Sequence, residues 1–116
     1  MLTLDEAKKY LRIDTDDEDE LIESFILSAE AVCMDVARLS EEEWDAVTSY
    51  TEGSSDLPVI RGETVSGRKV IHAQRLLRAG VFYALSYLEE YRENADFNKL
   101  TLTLRGIVGS IREGVI

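Results

Sequence analysis

The chain has 116 residues and a formal net charge of -10, with 23 acidic against 13 basic side chains. That length sets a single domain over 1–116 as the expectation. With no run of about 18 apolar residues the sequence offers no membrane-crossing helix, and so acidic a chain is poorly suited to wrapping nucleic acid by phosphate neutralisation.

The opening residues, Met1 to Glu6, place carboxylates where a secretory leader would carry basic ones, so the cytosol is the expected compartment. Thr3-Leu4-Asp5-Glu6 has capping-box spacing and predicts a short helix over about 4–11, with Leu4, Ala7 and Leu11 on one stripe. Asp14-Thr15-Asp16-Asp17 reads as a turn, and Asp17 followed by Glu20 repeats the box ahead of a long helix over about 18–38. Its apolar positions Leu21, Ile22, Phe25, Ile26, Ala29, Val32, Cys33 and Val36 follow the helical period. Cys33, the single cysteine, is expected to be a buried structural thiol.

Ser40-Glu41-Glu42-Glu43 could open a short helix through Trp44 and Val47, broken by Gly53-Ser54-Ser55-Asp56. Pro58, Gly62 and Gly67 mark 52–67 as an extended loop with a brief strand at Val59-Ile60, and 40–67 as a whole is taken as a variable loop region. A second long helix is predicted over about 68–92, with Gly80 allowing close approach to the first. Leu100-Thr101-Leu102-Thr103-Leu104 alternates as a strand would, while Ile107, Val108 and Ile111 fit a short helix; a terminal helix with a loose lead-in is the preferred reading. The fold class is therefore all-α: a small bundle of two long helices flanked by short N- and C-terminal helices, with a long central loop.

Few residues carry chemistry. Asp14, Asp16 and Glu18 match the first ligand spacings of a calcium loop, but Asp19 stands where its glycine belongs and Phe25 where its bidentate glutamate belongs. Glu89, Glu90 and Glu93 resemble the magnesium motif of all-helical nucleotide pyrophosphatases, an alternative that needs a second carboxylate pair; Glu42 and Asp45 precede the motif instead of following it. His72 is the only histidine, and Gly106 and Gly109 lack the Lys-Ser/Thr of a phosphate loop. No catalytic residue, metal or cofactor is assigned.

Charge is unevenly distributed. Residues 1–60 hold 4 basic and 17 acidic side chains, a net of -13, and residues 61–116 hold 9 and 6, a net of +3. Halves of opposite sign suit a chain whose one face meets the other face of a neighbouring copy, the contact that builds rings or filaments. Arg68, Arg75 and Arg78 lie close to one helical face and are read as a patch for a partner's carboxylates. A small acidic regulatory or interaction module is the remaining alternative.

The run Leu4-x-Glu6-Ala7-Lys8-x-Tyr10-Leu11-Arg12-Ile13-Asp14, then Asp17-x-Asp19-x-Leu21-Ile22, Ile26 and Ala29, resembles the tailed-phage head-tail connector family, as does Tyr91-Arg92-Glu93 at the end of the second long helix. The 40–67 segment is longer and more acidic than that family's usual link. The resemblance implies a structural subunit without enzyme activity at the virion head-tail junction, assembled in the host cytoplasm. It implies a ring of identical copies, twelvefold like the portal it docks on, joining portal to a head-completion or tail protein with DNA passing through unbound. On that expectation Arg68, Arg75 and Arg78 meet Asp16 and Asp17 of the next copy. Glu18, Asp19 and Glu20 face the lumen, where carboxylates repel phosphate. Leu57, Pro58, Val59, Ile60, Val115 and Ile116 are candidate partner-docking positions.

Overall fold

The computed structural model of the chain describes residues 1–113. Helix α1 (Leu4–Leu11) starts where expected, because Thr3 Oγ1 accepts from the Glu6 N–H at 3.1 Å and Glu6 Oε1 accepts from the Thr3 N–H at 3.2 Å. It stops at Arg12, whose left-handed backbone (φ 59°) brings the Ile13 N–H to the Lys8 carbonyl at 2.9 Å and its own N–H to Lys9 at 3.2 Å. Those are the two bonds of a Schellman closure, so Leu11-Arg12-Ile13 is a stop signal that folds Ile13 back against the core.

Helix α2 (Asp19–Val36) lacks the cap expected at Asp17. Glu18 occupies the capping position without a side-chain cap bond. The carboxylates nearby have stronger partners: Asp19 reaches Lys8 at 2.8 Å and Glu18 pairs with Arg92. At its other end Arg38 (φ 56°) repeats the Schellman closure, with Leu39 donating to Met34 at 3.1 Å and Arg38 to Asp35 at 3.1 Å.

The short helix and the brief strand expected within 40–67 are both present, and a second strand joins the first. Ser40 and Glu43 close a second capping box that opens α3 (Glu41–Ser49), and this helix buries Trp44 and Val47. Strands β1 (Val59–Ile60) and β2 (Glu63–Thr64) then pair antiparallel, Val59 opposite Thr64 and Ile60 opposite Glu63. Their two-residue turn, Arg61-Gly62, has positive φ at both positions (51° and 81°), the twist that matches a hairpin.

Helix α4 (Gly67–Glu90) is the predicted second long helix, and α5 (Phe97–Arg112) corrects the loose lead-in. Asp96 accepts from the Asn98 and Lys99 N–H groups at 3.0 and 3.2 Å, so the helix begins before the alternating leucines. Leu100, Leu104, Val108 and Ile111 are fully buried while Leu102 is 65% exposed, a helical stripe and not a strand face. Three helices thus form the core. Glu18 at the start of α2 meets Arg92 just past the end of α4, and Arg61 bridges the ends of α2 and α5, so α4 runs against both of its neighbours. Gly80 marks their meeting point: a Cβ there would lie 3.2 Å from Val108 Cγ1 and 3.3 Å from Cys33 Sγ. Helices α1 and α3 close the flanks of this three-helix unit.

Candidate functional site

The candidate carboxylates gather at the end of the bundle where α2 begins, and most are already engaged. Lys8 Nζ holds Asp16 at 3.0 Å and Asp19 at 2.8 Å, and these two acids, Asp19 first, push the lysine's pKa up. Arg92 grips Glu18 and, at 2.9 Å, Glu89, while its guanidinium lies 5.9 Å from the Phe25 ring centre. The hydrogen bond from Arg92 keeps the Glu18 carboxyl below its ordinary range. Of the acids assigned to the lumen or the ring contact, only Asp17 and Glu20 are exposed without an ion pair among the described residues. Glu18 and Asp19, candidates for the lumen, are thus ion-paired within the subunit, and Asp16, a candidate for the ring contact, bonds Lys8 while its side chain stays 91% exposed.

The arginine patch divides in the same way. Arg78 bonds Glu6, holding that carboxyl low, and lies 5.1 Å from the Phe82 ring centre, so its charge is spent within the subunit. Arg68 and Arg75 make no ion pair among the described residues. Together with Lys69 and His72 they line an open groove of about 930 Å³ beside the first turns of α4, closed on one side by Tyr50. Tyr50 is held there because Gln74 Nε2 donates to the Val47 and Tyr50 carbonyls, each at 2.8 Å. Gly67 leaves room for the Tyr50 ring, which any Cβ at that position would meet. Three basic side chains, unpaired among the described residues, thus share the groove with one carboxylate, Glu52, on a strongly acidic chain.

The docking stretch is mostly core. Pro58 and Ile60 are buried, Leu57 is half-buried, and only Val59, 51% exposed, faces outward. The Pro58 carbonyl also accepts from the Val65 N–H at 2.9 Å, which fixes the segment in place. Val115 and Ile116 lie outside the described residues.

Spacing did not single out Arg61. Its guanidinium donates to Ile111 O and Ala37 O at 3.0 Å, to Arg38 O at 3.2 Å and to Arg112 O at 3.3 Å, capping the C-terminal ends of α5 and α2 at once. No sequence signal marks it, and even its left-handed backbone is shared with Arg12 and Arg38.

Glu89 of the Glu89-Glu90-Arg92-Glu93 run is tied to Arg92. Among the described residues no group of three His, Cys, Asp or Glu side chains comes together to hold a metal ion. Cys33 is fully buried, and burial pushes its thiol up to about 12, which removes it as a nucleophile at neutral pH.

In comparison with known families, residues 1–67 fit the family described as phage gp6-like head-tail connector protein. No curated protein and no solved structure matches the chain. The matched segment runs from α1 through the hairpin and stops where α4 begins.

Proposed function

Because the chain belongs to the phage gp6-like head-tail connector family, we propose that it is a ring-forming structural subunit seated between the portal and a head-completion or tail protein, with DNA passing through its channel. The observation that carries this reading beyond the family is the charge polarity of the folded subunit. Among the described residues Arg68, Lys69 and Arg75 make no ion pair and line one groove with a single carboxylate, Glu52, and the acidic turn before α2 presents Asp17 on a different part of the surface. Like a socket and its plug, the two are complementary between copies and not within one, which favours a head-to-tail contact.

Glu20, exposed in the first turn of α2, is the carboxylate left to face DNA, since Glu18 and Asp19 already balance Arg92 and Lys8. An acidic channel wall repels phosphate and leaves the passing duplex unheld. Twelve copies, matching the portal, complete the proposal. Sedimentation of the full chain across ionic strength tests the contact. Rings weaken as salt rises and with Arg68→Glu/Arg75→Glu; assembly indifferent to both changes overturns the electrostatic contact.

A further inference from the structure

Resting on the reading that copies assemble, we propose a second contact, in which the outer face of α5 of one copy seats in the groove between α2 and α3 of the next. The outer face of α5 has Leu102 at its centre, 65% exposed, with Lys99 and Arg105 exposed to either side. One and two turns further on, Gly106 and Gly109 leave a hollow, since a Cβ added at either position would meet nothing within 4 Å. Glycine is among the poorest helix formers. Nothing among the described residues accounts for two of them there, whereas Gly80, the buried helical glycine, is explained by Cys33 and Val108.

The α2–α3 groove has the complementary shape and charge. Leu27 projects from α2 with 68% exposure, the largest of any bulky apolar side chain described. Beside it Ala31, Met34 and Trp44 line a depression of about 340 Å³ that Glu41 and Asp45 also line, while Glu30, in the same lining, is held by the Met1 ammonium at 3.0 Å. No acidic residue occurs within α5, so its basic flanks face Glu41 and Asp45 without repulsion. Leu102 fills the depression over Trp44 and Met34, while Leu27 enters the hollow at Gly106 and Gly109. Each surface points away from the shared core, so neither can satisfy the other within one subunit, and a second copy of this chain is the occupant.

Three variants of the full chain test the contact by native mass spectrometry. Gly106→Leu fills the hollow from a position where its Cβ meets nothing within 4 Å among the described residues, and circular dichroism checks that the monomer stays folded while copy–copy affinity falls by roughly tenfold or more. Arg105→Glu weakens assembly similarly, and adding Glu41→Lys in the same chain restores it. Mixed L27C and L102C chains, mildly oxidised, give the mixed disulfide dimer in preference to either like-with-like dimer. Wild-type rings accompanied by unaltered assembly of Gly106→Leu and a statistical mixture of disulfides overturn this contact but leave the ring intact. A wild-type chain that forms no ring, alone or with its portal, overturns both proposals.

Discussion

The backbone N–H of Arg61 donates to Glu43 Oε2 at 2.7 Å, joining the turn of the hairpin to the first turn of α3 across 18 residues of sequence. Glu43 is at the same time the closing member of the α3 capping box, and Arg61 is the residue whose guanidinium caps α2 and α5. One pair therefore ties three helix ends to a two-residue turn. Arg61→Ala leaves buried and half-buried carbonyls at two helix termini without their donor and should lower stability by about 2 kcal/mol. Thermal unfolding followed by circular dichroism checks this; a melting temperature equal to wild type contradicts the role.

Arg12 and Arg38 share the left-handed backbone of Arg61 (φ 59°, 56° and 51°) but not its contacts, since neither side chain makes a hydrogen bond or ion pair among the described residues. Glycine adopts that conformation without steric cost. Arg12→Gly and Arg38→Gly should each stabilise the fold by about 0.5–1 kcal/mol, whereas Arg61→Gly should destabilise it despite the same backbone relief. Opposite signs in denaturant midpoints are the expected result. Stabilisation by all three substitutions would show that the Arg61 guanidinium contributes nothing.

At Gly80 the core tolerates no more volume. A Cβ would approach Val108 Cγ1 to 3.2 Å and Cys33 Sγ to 3.3 Å, so Gly80→Val should cost about 1–3 kcal/mol through overpacking. Val108→Ala in the same chain should recover part of that loss, because it removes the nearest opposing methyl groups. Urea unfolding of the single and double variants measures the coupling; strict additivity would place the strain elsewhere.

The main architecture was legible in the sequence because its signals are local. Two capping boxes, Thr3/Glu6 and Ser40/Glu43, form as spaced, and the helical period of α2 and α4 identifies their buried stripes. The terminal leucines misled because Leu100, Leu102 and Leu104 alternate at the strand period, and only the Asp96 cap and the burial of Leu100 with Leu104 select the helix. Site residues were harder to sort for a physical reason: Arg68, Arg75 and Arg78 look alike by spacing, and what separates them is a carboxylate, Glu6, 72 residues from Arg78. Arg61 escaped notice similarly, because its carbonyl partners lie 24 and 50 residues away on helices that only the fold brings together.

The pH dependence of stability should carry the signature of Glu43. Its carboxyl lies below the ordinary 4.5 chiefly because it accepts from the Ser40 N–H, with the Arg61 N–H adding to the effect. A lowered folded-state pKa means that the unfolded chain binds more protons near pH 4. The contribution is thus complete above the unfolded value of 4.5 and is lost as pH falls through the folded one. Relative to wild type, Glu43→Gln should be less stable at neutral pH and should converge with it as pH falls below 4.5 and through the folded value. A constant difference in melting temperature across that range would mean that the carboxylate's charge does not matter.

In the proposed assembly, copies of this subunit meet on the portal through faces of opposite charge. Electron microscopy of the full chain mixed with its portal is the decisive test of that assembly. The predicted result is a closed ring of identical subunits, in the portal's own symmetry, that is present at low salt and lost with Arg68→Glu/Arg75→Glu. A chain that leaves the portal bare at every ionic strength, or binds it equally well with both arginines reversed, would contradict the account.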